Sequence, residues 1–299
     1  MKRILIAGAN GLLGQAVTYL LKDRYDLFLT GVESQFIDKK SGNSYVSMDI
    51  TNASACKEII KDFVPDAIIN AASFTHVDQC EIEKELCWQV NVKGVENLAK
   101  LSRRFDIHLI HFSTDYVFDG SKGPYDENDR PKPLGYYGKS KLASENVLTQ
   151  ISCPFTVVRT CVIYGDGIEV KANFFMWVLN NLKENKQINV VDDQYNNPTL
   201  AEDLAEGTEL ILSQEALGVY HMAGAEYLNR YEFALAIADY FNLDQQLITP
   251  IKTHQLKQAS KRPEFGGLKI EKAQNQLGYQ PKSLQNSFAY LKRKVLADE

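Results

Sequence analysis

The chain has 299 residues, of which 44% are hydrophobic, 24% charged and 10% aromatic, the balance of a folded globular protein rather than a disordered one. At roughly 150 residues per domain, that length suggests about two domains, or one large domain with an appended lobe. The longest apolar run is the six residues 174–179, far short of the ~20 that a membrane span requires. The apolar stretch 4–7 is too short for a secretory signal, so a soluble, cytoplasmic protein without a membrane partner is expected.

A net charge of −5 argues against nucleic acid as a partner, because a phosphate backbone is bound by excess positive charge. The charge is uneven: residues 251–299 carry ten Lys/Arg against four Asp/Glu. That stretch reads as a solvated surface, with an anionic ligand as the alternative. The cysteines (Cys56, Cys80, Cys87, Cys153 and Cys161) are odd in number and form no CxxC pair, so they read as reduced and mostly buried thiols. His108 and His111 share an alternating apolar run that reads as a strand, and no metal site is expected.

The first half alternates short apolar runs with longer helical patterns. Strands are expected at 4–7, 27–32, 45–48, 67–70, 108–113 and 155–160, and helices at 13–25, 54–63, 86–104 and 137–151. The strands are rich in Ile, Val and Leu rather than cleanly alternating, as when helices cover both faces. This rhythm predicts an α/β fold, a Rossmann-type doubly wound parallel sheet. Beyond residue 165 the rhythm breaks into a helix at 173–184, a strand at 188–191 and helices at 201–213, 230–241 and 283–296. A dinucleotide-binding unit is therefore expected at 1–165 with 188–208 returning to it. A smaller, mostly helical substrate lobe is expected from 166–187 and 209–299.

The first strand runs into Gly8-Ala9-Asn10-Gly11-Leu12-Leu13-Gly14 and then a helix. Glycines let such a turn tighten and approach a pyrophosphate, and the helix N-terminus supplies unpaired N–H groups. The spacing is GxxGxxG. An acid at the end of the second strand would select NAD over NADP, but Gly31 stands there, with Glu33 two residues on. With neither a clear acid nor a nearby arginine there, the choice between NADPH and NADH stays open. Asp49-Ile50 would flank the adenine, and Ala71-Ala72-Ser73 would lie under the cofactor because small residues permit close approach.

Tyr137 and Lys141 share one helix face at positions i and i+4. A nearby ammonium favours tyrosinate and would lower the phenol's pKa, easing proton donation to a carbonyl near neutrality. Thr114, at the carboxyl end of the fifth strand, would hydrogen-bond the same carbonyl, because parallel sheets bind ligands at that edge.

Together these residues resemble the extended short-chain dehydrogenase/reductase superfamily and, within it, the dTDP-4-dehydrorhamnose reductase family. The likeness extends through Thr75-His76-Val77-Asp78, through Ser113-Thr114-Asp115-Tyr116-Val117-Phe118-Asp119-Gly120, through Asp193-Gln194-Tyr195-Asn196-Asn197-Pro198-Thr199, and through Arg262-Pro263. It implies hydride transfer from a reduced nicotinamide to C4 of a dTDP-4-keto-6-deoxy sugar, giving dTDP-L-rhamnose for surface polysaccharide. It also implies that Tyr137 gives the proton, Thr114 tunes Tyr137, and Lys141 also holds the nicotinamide ribose. Gly11, Leu12, Leu13, Gly31, Asp49, Ile50, Ala71, Ala72, Ser73 and Phe112 would line the cofactor, and Thr114 and Asp115 would touch the sugar.

Three positions depart from the family pattern: Val162 stands for a tryptophan that packs on the sugar, Asn196 for a glycine, and Gly31 for an acid found in some members. Arg262, in the basic stretch, is a candidate for the nucleotide diphosphate. A homodimer is left open. A nucleotide-sugar dehydratase or epimerase is the second reading, though Tyr116 follows Asp115 where dehydratases carry a glutamate. A non-catalytic subunit similar to the β subunit of methionine adenosyltransferase is the third.

Overall fold

The computed structural model describes residues 1–39, 42, 44–170 and 173–297. Its centre is a seven-stranded, all-parallel sheet. In chain order the first six strands are β1 (Arg3–Ala7), β2 (Asp26–Gly31), β3 (Ser44–Ser47), β4 (Ala67–Asn70), β5 (His108–Thr114) and β6 (Phe155–Thr160). The spatial order is Gly218–His221, β6, β5, β4, β1, β2, β3, so the strand order reverses beside β1. The helices between them are α1 (Leu12–Leu21), α2 (Ala53–Phe63), α3 (Val77–Ile82), α4 (Lys84–Trp88), α5 (Val95–Phe105) and α6 (Tyr136–Ile151). Beyond β6 the chain forms α7 (Phe174–Lys183), α8 (Ala201–Gln214), α9 (Arg230–Tyr240), α10 (Glu271–Leu277) and α11 (Leu284–Ala297). Among the described residues, no helix is long and apolar enough to cross a membrane.

The continuous apolar character of the central strands has a direct structural cause. Successive side chains of a strand point to opposite faces, and both faces are covered. Ile4, Ile6, Ile69 and Ile110 pack with Leu13, Val17 and Leu21 of α1 and Leu204 and Ile211 of α8. Their neighbours Leu5, Ile68, Leu109 and Val157 pack on the other face with Ile60 of α2, Leu98 of α5 and Leu148 of α6. A third core joins Phe175, Phe233 and Phe288 of the lobe helices α7, α9 and α11 to Tyr164.

The chain departs from the sequence expectations in three places. The single helix expected at 86–104 is α4 and α5 joined by a π-helical turn, Gln89–Gly94. A π turn occurs as a single-turn bulge inside an α-helix, too short a break to mark in a pattern read over several turns. Ile188–Val191 is a strand as expected, yet it pairs with Ile248–Ile251 rather than returning to the main sheet. Gly218–His221, placed in the lobe, instead pairs with β6 as the edge strand of the main sheet; four residues carry too little pattern to mark it.

One buried ion pair bolts these layers together. Arg159 of β6 meets Glu145 of α6 at 2.6 Å through Nη2 and at 3.0 Å through Nε, and both side chains are under a tenth exposed. The Ser113 hydroxyl of β5 donates to the same carboxylate, and Arg159 Nη1 lies 3.3 Å from His221 Nε2 on the edge strand. Removing one partner strands the other charge without water. Arg159→Met is therefore expected to cost about 3–5 kcal/mol in urea unfolding, whereas pairing it with Glu145→Leu should recover much of that loss.

Candidate active site

Every element of the site lies at the carboxyl edge of the sheet, where backbone approaches backbone. Gly8 turns the chain with φ +79°, and its N–H donates to the Thr30 carbonyl at 2.8 Å. A Cβ on Gly8 would sit 2.6 Å from the Ala72 nitrogen, and one on Gly14 would sit 2.2 Å from the Gly8 carbonyl oxygen. Only glycine lets the loop, α1 and the end of β4 close this tightly. Gly11 caps α1 with no side-chain hydrogen bond, and no acid stands in the first turn. The N–H groups of Leu12, Leu13 and Gly14 therefore have no intrahelical acceptor and present a partial positive charge. That cradle fits a pyrophosphate.

The remaining cofactor candidates flank it. Ala71 and Ala72 are half-buried beside Gly8, and Phe112 is buried in β5. Ile50 packs against Gly94 of the π turn. Asp49 accepts from the Thr51 N–H and hydroxyl, each at 2.8 Å, so it also builds its own turn. The Ser73 hydroxyl donates to Asn91 Oδ1 at 2.9 Å. An acid stands near Gly31 after all: a Cβ there would lie 2.8 Å from Glu33 Oε2. That carboxylate accepts from Asn10 Nδ2 at 3.1 Å and from the Tyr45 hydroxyl at 3.3 Å.

Helix α6 delivers the phenol and the amine. Its first N–H group, on Tyr136, donates to Glu81 Oε1 at 2.6 Å, which replaces the side-chain cap that Gly135 cannot give. Tyr137 stands beside Thr114, whose hydroxyl donates to Asp115 Oδ1 and accepts the Tyr116 N–H, each at 3.2 Å, and its ring meets the Tyr116 ring edge-on, at 6.0 Å between centroids. Burial first, then the Asp115 carboxylate, pushes the Tyr137 phenol above its ordinary value. This reverses the expectation that Lys141 lowers it. Lys141, 2% exposed, instead points its Nζ toward Ser73 Oγ at 3.5 Å and His111 Nε2 at 3.4 Å. Burial pulls its ammonium down to about 8. The Tyr137 phenol is thus held protonated, the state a proton donor needs.

Asp115 is 2% exposed. Burial pushes its carboxyl up to about 6, against the Gly267 N–H, the Thr114 hydroxyl and the Arg230 charge. Val162 adopts φ +42° and packs half-buried on Val117, Phe118 and Leu268. Arg262 does not stand free for a diphosphate: Nη2 meets Asp78 Oδ2 at 3.0 Å and Nη1 donates to the Ser260 carbonyl at 2.9 Å. Its charge is already paired within the chain. Sequence reading missed Arg230, whose charge acts on the Tyr116 phenol and on Asp115 and whose guanidinium lies 5.0 Å above the Phe174 ring. It missed His111 too, although the residue sits in the same strand as Thr114.

A βαβ glycine cradle facing a Thr-Tyr-Lys set meets the comparison with known proteins. The family model described as "RmlD substrate binding domain" matches residues 1–295. The chain belongs to this RmlD family. Its relatives include the dTDP-4-dehydrorhamnose reductase of Aggregatibacter actinomycetemcomitans, 36% identical, with 97% of this chain and 99% of the relative aligned. The methionine adenosyltransferase 2 subunit beta of Xenopus laevis is 34% identical over 88% of this chain and 78% of its own. Among solved structures, the dTDP-4-dehydrorhamnose reductase of Bacillus anthracis in complex with NADP superposes with a TM-score of 0.88. It is 29% identical, and the match covers 98% of this chain and 100% of that one.

The buried carboxyl gives this RmlD-family site a pH signature. With its pKa at about 6 in the folded chain against 3.8 otherwise, Asp115 binds more protons folded than unfolded between those values. Its contribution to stability therefore falls as pH rises through that window and stays low above it. Asp115→Asn should remove this slope. Relative to the wild type, the variant should gain about 3 kcal/mol between pH 4 and pH 7, read as the pH-dependent difference in urea unfolding free energy.

Proposed function

We propose that this RmlD-family chain is an NAD(P)H-dependent dTDP-4-dehydrorhamnose reductase that reduces the C4 keto group of dTDP-4-dehydro-L-rhamnose to give dTDP-L-rhamnose. One observation carries the reading: a protonated Tyr137 phenol, set beside Thr114, at the sheet edge that also holds the glycine cradle. The NADP complex of the Bacillus anthracis relative supports NADPH as a cofactor of the family, with NADH as the alternative. The enzyme is placed in the cytoplasm. Its cofactor unit comprises residues 1–165 with the Gly218–His221 strand, and the substrate lobe is built around Phe175, Phe233 and Phe288.

The bound cofactor supplies a hydride to the C4 carbon. The protein does the rest. The first-turn N–H groups of α1 would hold the pyrophosphate, and the bare backbone at Gly8 and Ala72 would let a dinucleotide approach the sheet. The Thr114 hydroxyl and the Tyr137 phenol address one carbonyl oxygen, and Tyr137 passes its proton to that oxygen as negative charge develops there. Lys141, buried beside Ser73 and neutral His111, presents its ammonium to the nicotinamide ribose and offsets the charge left on the phenol oxygen. Arg230, beside Tyr116 and Asp115, is a cation placed to meet the substrate's diphosphate. The dehydratase reading lacks a second acid, because Tyr116 occupies its place.

The likeness to methionine adenosyltransferase subunit beta keeps a non-catalytic reading in view, and one assay separates the two. Oxidation of NADPH and of NADH against a panel of dTDP-4-keto sugars should show turnover with the rhamnose precursor. Tyr137→Phe should cut that turnover about 10²–10⁴-fold while leaving cofactor affinity within threefold. Cofactor binding without oxidation by any sugar in the panel would favour the binding subunit.

A further inference from the structure

Gly31 ends β2, and the chain then bends so that Glu33 lies back over it. The carboxylate oxygen Oε2 comes within 2.8 Å of where a Gly31 Cβ would stand, so the missing side chain is what makes room for it. Two contacts hold it there. Asn10 Nδ2, in the glycine loop, donates to it at 3.1 Å. The Tyr45 hydroxyl of β3 lies 3.3 Å from it and 3.1 Å from the Glu33 carbonyl oxygen. Asn10 is itself tied to the next loop, giving Nδ2 to the Gln35 carbonyl at 3.0 Å and accepting the Ile37 N–H at 2.9 Å. The carboxylate is therefore a positioned group beside the cradle, although it is exposed.

Its location has a chemical meaning. In a βαβ dinucleotide site, the group at the end of the second strand, about 20 residues beyond the glycine turn, faces the adenosine ribose. A carboxylate there accepts both hydroxyls of an unmodified ribose, and it repels a 2′-phosphate. The sequence has no arginine between Arg24 and Arg103, so the segment that follows β2 supplies no guanidinium for that phosphate.

We propose that Glu33, folded back over Gly31 and steadied by Asn10 and Tyr45, is the specificity residue that makes this chain an NADH-preferring member of its family. The inference rests on the dinucleotide reading above and sharpens it. Glu33 replaces the missing acid at Gly31 from two positions downstream. Asn10 and Tyr45 act through it as positioning residues.

Dissociation constants for NADH and NADPH, measured by nicotinamide fluorescence, test this without any sugar substrate. The wild type should bind NADH at least tenfold more tightly than NADPH. Glu33→Gln keeps the shape and removes the charge, and should reduce that ratio at least fivefold, mainly by tightening NADPH. Tyr45→Phe should weaken NADH while leaving the NADPH constant within twofold, a split that a general loosening of the fold would not give. Tighter NADPH binding by the wild type, or an unchanged ratio in Glu33→Gln, overturns the assignment of Glu33 and leaves the dinucleotide site standing. Failure to bind either nucleotide overturns both.

Discussion

Helix α6 carries the phenol and the amine together, and polar contacts, buried along its middle and part-buried at its start, fix where it lies over the sheet. Glu145 takes Arg159 and Ser113 at its middle, Ser144 meets His111 at 2.9 Å, and Glu81 holds its first N–H. The contacts cross from the helix to three elements: Arg159 of β6, Ser113 and His111 of β5, and Glu81 of α3. A buried polar group that loses its partner loses the full cost of its desolvation. The helix therefore has one low-energy position, and Tyr137 and Lys141 inherit it. Catalytic geometry here is a by-product of polar satisfaction in the core.

That burial also sets the charges. Lys141 and Asp115 lie in the same dry edge, and each is pushed toward its neutral form, the amine to about 8 and the acid to about 6. His111 is driven well below its ordinary value by burial and by the Lys141 charge, so it faces Lys141 as a neutral ring. A charged imidazole beside the ammonium would depress Lys141 further. Neutral His111 instead leaves Lys141 largely protonated at neutral pH. In the reading proposed above, the amine acts on Tyr137 only once the phenol has given up its proton.

The fold is legible in the sequence because its signal is periodic. Both faces of β1 and β4 are buried, so Ile4-Leu5-Ile6 and Ile68-Ile69 read as parallel strands from residue order alone. The glycine turn and the Tyr137–Lys141 spacing are local and survive in one dimension. What the sequence hides is what depends on distant partners. Arg262 looks free because Asp78, 184 positions away, cannot be seen from a basic stretch. Glu33 looks misplaced because the fold-back over Gly31 requires Tyr45 and Asn10 together. Arg230 gives no signal, since its neighbours Tyr116 and Phe174 come from separate segments. The π turn at Gln89–Gly94 is hidden by its near-helical period, yet it is what presents Asn91 to Ser73 and, at 2.8 Å, to the Phe74 N–H.

The loop around Arg262 shows how the lobe and the catalytic helix answer to one another. Glu81 Oε1 accepts the Tyr136 N–H and also the Ser260 hydroxyl, the latter at 3.2 Å. Asp78 accepts the Ser260 N–H at 2.9 Å and pairs with Arg262. A few residues on, the Gly267 N–H lies 3.4 Å from Asp115, while Phe265 stacks on Tyr195 at 5.5 Å between centroids. One strap of backbone thus touches the start of α6, the buried acid and the aromatic wall of the lobe. Where Val162 gives no large surface for a sugar, that strap is the nearest source of one, because the Tyr227 ring closes over Gly267 and stacks on Tyr195 at 5.9 Å. A change in the strap would therefore move the start of α6 and the aromatic contacts of Tyr195 together, because the same few residues hold both.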